Sequence, residues 1–305
     1  MSAEKGKILN GKRIGIFGKG GCGKSTVAVL LAKALRNVGY DVCLLDADST
    51  NIGLSKALGA ERDPEPLLDY YGGMVFSGGL VTCPVDDPTP LVGAHVFTDE
   101  LPSVYQSHTP EGIHLFVAGK MGDKGPGAGC DGPIAKIARD FKPCYADELP
   151  VTLVDFKAGF EDSARGNIIS LDWIIVVVDP TSAAIQMAIN MRDMVNQLNE
   201  GSLPATDHLD QPDLVEMVNR LYREARVKGV LFILNRARDE EMEKFVLKRL
   251  AENDIEPIGV IHDDPSLSIA WLKGAPLSRE ATKPEIEEII VLLELAEESV
   301  GRKVT

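Results

Sequence analysis

Between residues 14 and 29 the chain reads IGIFGKGGCGKSTVAV, in which Gly18, Gly23, Lys24 and Ser25 satisfy the spacing G-x-x-x-x-G-K-[ST]. That spacing suits one kind of chemistry. Glycines let the backbone wrap a polyphosphate so that its N–H groups face the oxygens, the lysine reaches the β and γ phosphates, and the hydroxyl binds Mg2+. Gly20, Gly21, Cys22 and Thr26 fill the rest of this nucleotide-contacting loop. Phosphoryl transfer also needs carboxylates for the cation and a group to orient water. Asp155, at the end of VTLVD, and Asp46, in LLDADSTN, are the candidates for the Mg2+ shell beside Ser25, and Asp48 is the candidate for orienting the water.

These residues need a scaffold that brings strand ends together. The runs at 13–17, 42–46, 113–119, 151–155, 173–179, 229–235 and 257–261 are nearly continuous in apolar residues, as strands buried on both faces are. Between them lie helical patterns: Val27, Leu30, Leu31 and Leu35, ending near Gly39; Ile185, Met187, Ala188, Met191 and Val195; and 284–295, with Ile286, Ile289, Ile290 and Leu293 inward. The alternation predicts an α/β fold, a doubly wound, mostly parallel sheet with helices on both faces, whose strand C-termini form the ligand crevice. One domain over 1–305 is expected, with a variable, loop-rich region at 60–130. Residues 199–213 read as a polar surface loop, and the Gly- and Pro-rich stretch 70–90 as irregular.

Composition narrows the function classes. A formal charge of −14 over 305 residues opposes general binding to a phosphate backbone, and no nucleic-acid partner is expected. No run approaches the ~18 apolar residues that a membrane span requires, and the tail PEIEEIIVLLELAEESVGRK is acidic, so no membrane partner is expected either. The first twelve residues lack the apolar core of a secretion signal, and five widely spaced cysteines suit a reducing cytoplasm.

GKGGCGKST, with Lys19 directly after the first glycine, stands with LLDADSTNIGLSKALG, VDFKAGFEDSARG, VVVDPTSAAIQMA, ILNRA and PIGVIHDDPSLSIAWLKGAPL. Together these resemble the deviant Walker A family of P-loop ATPases, which includes the nitrogenase iron protein, the division-site ATPase of the Min system and the maturation ATPase of carbon monoxide dehydrogenase. The resemblance runs from about residue 12 to about residue 280 and is weakest over 60–130. It implies a homodimer with ATP sandwiched between subunits, and Lys19 acting in trans on the opposite nucleotide. It further implies that 46–51 and 155–159 are the two switches that sense the γ-phosphate, and that Asn235 reads the adenine edge.

Cysteine divides this family by function. Cys130, in GPGAGCDGP, resembles the iron protein's loop that supplies one of two cluster ligands per subunit, but DFKAGFEDSARG carries no second cysteine. The maturation ATPase has a C-x-C pair in that loop; here Asp131 and Gly132 follow Cys130, although KAGFEDSARG is closer to the maturation ATPase. Cys144 is the remaining candidate partner, yet a helix over 133–141 would hold it ~15 Å from Cys130 at ~1.5 Å per residue. Cys22 and Cys43 read as small packed residues, and Cys83, beside Pro84, is assigned no role. The expected function is a homodimeric ATPase that couples hydrolysis to metallocentre maturation or metal insertion into a partner metalloenzyme, with ATP and Mg2+ as cofactors. Nickel, zinc or a [4Fe-4S] cluster would be bridged between subunits at Cys130. The alternatives are an ATP-gated iron–sulfur electron donor and a positioning ATPase of the Min and partition type.

Overall fold

The computed structural model describes residues 7–120, 130–145, 149–201, 204, 206–225, 227–278, 280 and 283–303. In chain order the elements are β1 Arg13–Gly18, α1 Lys24–Asn37, β2 Val42–Asp46, α2 Leu54–Leu58, α3 Leu67–Tyr70, β3 His95–Phe97, β4 Ser107–His108, β5 His114–Val117, α4 Gly132–Asp140, β6 Lys142–Cys144, β7 Val151–Asp155, α5 Glu161–Ala164, β8 Trp173–Val178, α6 Ser182–Asn199, α7 Pro212–Arg223, β9 Gly229–Ala237, α8 Glu240–Ala251, β10 Gly259–His262, α9 Pro265–Lys273 and α10 Lys283–Lys303.

Eight strands form one sheet in the order β10-β9-β8-β1-β7-β2-β5-β4, parallel throughout except for the antiparallel edge pair β4 and β5. The side-chain period of two sends alternate residues to opposite faces. Ile175 and Val177 join the layer of α1, α2, α9 and α10, whereas Ile174, Val176 and Val178 join that of α3, α4, α6 and α8. With both faces covered, β1, β2, β7 and β8 are buried at every position, which is why their sequences are continuous apolar runs rather than alternating ones. Ile286, Ile289, Ile290 and Leu293 face inward as their spacing predicts, and α10 continues past residue 295 to Lys303.

All seven expected strands are present. The short β3 and β6 were not anticipated; they pair in parallel away from the main sheet, with Phe97 opposite Cys144. The loop expected at 199–213 is shorter than its polar composition suggested, because Asn199 closes α6 and Pro212 opens α7 at the helical position where a missing N–H costs nothing. Over 70–90 the chain is irregular apart from a 3-10 turn at Val75–Ser77 and a bridge between Met74 and Val81.

The two ends of the sheet differ. Near the strand N-termini, the nearly buried Glu297 of α10 accepts from the Trp173 indole at 2.8 Å and from Lys228 at 2.6 and 2.8 Å, and pairs with Lys12 at 3.2 Å. These contacts lock that end. The strand C-termini form the opposite rim.

Candidate functional site

β1 delivers the phosphate loop to that rim, and α1 begins at its far side. The N-cap of α1 is Gly23, in the left-handed region at φ 94°, with no side-chain cap and no acidic residue in the first turn. The free N–H groups of the first turn, at the positive end of the helix dipole, are therefore left for an anion. Two glycines are required by space as well as by motif. A Cβ on Gly18 would come 2.6 Å from both Cys22 Sγ and the Val177 carbonyl, and one on Gly23 would overlap Asn235 Nδ2. Lys24 is buried, its ammonium 3.4 Å from the Lys19 carbonyl, while the Lys19 side chain is exposed. Gly20 and Gly21 are exposed at the loop's crest. Burial pushes the Cys22 thiol up to about 11, so Cys22 serves as packing, not as a nucleophile.

The carboxylates converge beside Ser25. β2 and β7 are neighbours in register, with Asp46 opposite Asp155, so two strand ends present two acids at one rung. Asp155 Oδ2 accepts from Ser25 Oγ at 2.5 Å and from Asn51 Nδ2 at 3.4 Å; Oδ1 is buried without a hydrogen-bond partner. A buried, unsatisfied carboxylate oxygen costs stability unless a cation or donor meets it. Together with the Ser25 hydroxyl and Asp46 it makes a hard oxygen set that fits Mg2+. Desolvation raises Asp155 to about 6 and Asp46 to about 7, the latter despite the Lys120 ammonium at 2.6 Å from its Oδ2. Lys120 also donates to the Asp48 carbonyl at 2.8 Å and so holds the start of the 46–51 loop. Asp48 is half-buried, and its carboxylate accepts from the Thr50 amide at 2.9 Å and hydroxyl at 2.7 Å.

A family model for the CobQ/CobB/MinD/ParA nucleotide-binding domain matches residues 16–277. The chain belongs to that family. It is accordingly a P-loop ATP hydrolase, and the parallel sheet just described is the fold of that class. An uncharacterised ATP-binding protein of Methanocaldococcus jannaschii is 28% identical over 283 residues, covering 92% of this chain and 99% of that one. The carbon monoxide dehydrogenase accessory protein CooC of Rhodospirillum rubrum is 28% identical over 192 residues, 61% of this chain and 70% of its own. Among solved structures, the septum site-determining protein MinD of Pyrococcus horikoshii, complexed with Mg-ADP, superposes with a TM-score of 0.54 at 21% identity, covering 94% of this chain and 95% of that one.

Within this CobQ/CobB/MinD/ParA chain the remaining candidate residues lie as follows. Asn235 is buried at the end of β9, and its amide donates to the Cys22 carbonyl at 2.8 Å, tying the phosphate loop to the next strand but one. Thr26 accepts from the Trp271 indole at 2.9 Å, which brings α9 against the same pocket. The cysteines separate. Cys130 is half-buried in the turn before α4, whereas Cys144 lies in β6 beyond the other end of that helix, so the structure does not bring the two together. Cys83 does approach: a Cβ on Gly132 would come 2.8 Å from its Sγ. Among the described residues no three or more His, Cys, Asp or Glu are grouped to hold a metal within one chain.

Sequence reasoning missed Lys120, Trp271 and the approach of Cys83. Lys120 carried a usable signal, since it follows a strand C-terminus at the rim where ligands bind in open α/β sheets. Trp271 and Cys83 carried none, because each meets its partner through the fold alone.

Proposed function

We propose that the protein is a homodimeric, cytoplasmic ATPase that uses ATP binding and hydrolysis to deliver or seat a metal in a partner metalloenzyme. The observation that carries this reading is a half-buried thiol, Cys130, placed outside the phosphate loop yet in the turn that touches both carboxylate loops of the rim. The similarity to CooC supports it, as does the acidic charge, which opposes nucleic acid and membrane partners.

Within this reading the P-loop amides and Lys24 grip the β and γ phosphates. Ser25, Asp46 and Asp155 would hold Mg2+, which when bound neutralises charge on the triphosphate. Asp48 releases Thr50 to orient the attacking water, and Asn235, its amide engaged by Cys22, offers Oδ1 to the adenine amino group. Lys19, exposed at the crest of the loop, reaches the nucleotide of a second copy and stabilises charge there in the transition state. The transported metal is the substrate, held by Cys130 from each of two subunits.

A second reading, an ATP-gated iron–sulfur donor, is favoured by one observation. A cluster shared across a dimer axis needs two thiolates per chain, and Cys83 rather than Cys144 is the thiol beside the Cys130 turn. One experiment separates them: iron, sulfide, nickel and zinc content of anaerobically purified protein, with Cys130→Ala and Cys83→Ala in parallel. Nickel or zinc bound without sulfide, and lost in Cys130→Ala, supports the metal-delivery reading. About four irons and four sulfides per dimer, lost in either variant, replace it with the electron donor. Metal content unaffected by Cys130→Ala overturns both.

A further inference from the structure

Asp131 occupies the N-cap of α4, a position where an aspartate ordinarily turns its carboxylate back onto the free N–H groups of its own helix. Here it makes no such cap bond. Oδ1 accepts from Ser49 Oγ at 2.6 Å, and Oδ2 is paired with the ammonium of Lys157. Ser49 is buried in the 46–51 loop that follows β2, and Lys157 lies in the 155–159 loop that follows β7. A single carboxylate thus bonds to both loops that carry the Mg2+ candidates Asp46 and Asp155, and it does so in place of capping its helix.

The other side of the turn is fixed. Gly132 is packed so closely on Cys83 that a Cβ would come 2.6 Å from the Cys83 Cβ. Behind it, α4 grips the chain after Cys83: Lys136 pairs with Asp87 at 2.8 Å, and the Arg139 guanidinium donates to the Pro88 and Thr89 carbonyls, each at 3.2 Å. The turn 130–132 is therefore held between the two loops on one side and the 83–89 segment on the other. Cys130 is the residue next to the joint.

We propose that Asp131 is the positioning residue through which the two nucleotide-contacting loops set the place of the Cys130 thiol, so that the exposure of Cys130 follows the nucleotide state. This deepens the proposed function and rests on it for the role of those loops, but its test requires no metal. When nucleotide rearranges 46–51 and 155–159, Ser49 and Lys157 move relative to one another, and the carboxylate cannot satisfy both without shifting the turn. A cap bond to α4 would have isolated Cys130 from those loops; the observed geometry couples it to them.

The experiment measures the alkylation rate of Cys130 by iodoacetamide, resolved from the other four cysteines by peptide mass spectrometry, in metal-free protein with Mg2+ and either ADP or a slowly hydrolysed ATP analogue. In the natural protein the two rates should differ by about tenfold or more. In Asp131→Ala the ratio should fall to within about twofold, with nucleotide affinity changed by less than about threefold, since Asp131 touches no residue of the phosphate loop. Ser49→Ala should lower the ratio, and the Asp131→Ala/Ser49→Ala double variant should lower it no further than Asp131→Ala alone. A tenfold ratio that survives in a folded Asp131→Ala protein overturns the proposal. So do equal rates in the natural protein, or an additive double variant. Failure of the metal-content experiment with a nucleotide-dependent, Asp131-dependent alkylation rate would remove the cargo and leave the coupling.

Discussion

Gly23 carries two demands and Gly21 only one. Both have positive φ, 94° and 82°, but a Cβ on Gly21 meets nothing within 4 Å whereas one on Gly23 would overlap the Asn235 amide. Gly21→Ala should therefore cost only the left-handed backbone penalty of ~1–2 kcal/mol. Gly23→Ala should add the loss of the Asn235 bond to the Cys22 carbonyl, another ~1 kcal/mol, and weaken nucleotide binding at least tenfold. Urea unfolding and nucleotide titration of the two variants check this; equal stability losses would mean that Asn235 relaxes freely. The residues of this loop were legible in the sequence because their spacing is local: strand, glycine, four residues, glycine, lysine, hydroxyl. Lys120 against Asp46, and Asp131 against Ser49 and Lys157, were not. Those pairs span 74, 82 and 26 positions and meet only because β2, β5 and β7 are neighbours in the sheet.

At the scale of elements, strands buried on both faces announced themselves, since each needed an unbroken apolar run. The short pairs escaped because three residues of β3 or β6, or two of β4, leave no periodicity to read. β5, one strand in from the edge, shows what burial beside a short strand costs. Its His114 ring lies 4.2 Å from that of His108 and 4.7 Å from that of Tyr145, and Nδ1 is buried without a partner. Burial first, and then the neighbouring His108, push its pKa down from 6.5 to about 4. Between those values the unfolded chain binds the proton and the folded chain does not, so stability rises with pH. The contribution is complete above about 6.5 and is lost as pH falls toward 4. His114→Phe, which keeps the ring and removes the titration, should flatten the fall in melting temperature between pH 7 and pH 4.5. Thermal denaturation across that range is the measurement, and an unchanged slope would assign the acid sensitivity to other groups.

At the scale of the molecule, the proposed function has the exposed Lys19 act on the nucleotide of a second copy. Light scattering should show dimers with a slowly hydrolysed ATP analogue and monomers with ADP. Lys19→Ala should keep nucleotide affinity within about threefold while turnover falls at least a hundredfold, as removal of a charge supplied in trans does elsewhere. Normal turnover in that variant would refute the sandwiched dimer. The phosphate-loop core and the segment that carries Cys83 also differ in how they are wired into the sheet. Between α2 and the edge strand β4 the chain from 62 to 106 leaves the main sheet and returns to it. The Glu61 amide donates to the His108 carbonyl at 3.0 Å, so the two ends of that excursion are fixed however long it grows. Such a segment is interchangeable: a relative's version could be grafted between Glu61 and Ser107 with the strand order, the phosphate loop and the 46–51 loop intact. A lineage could then acquire a new client by rewriting one insertion and leaving the motor alone.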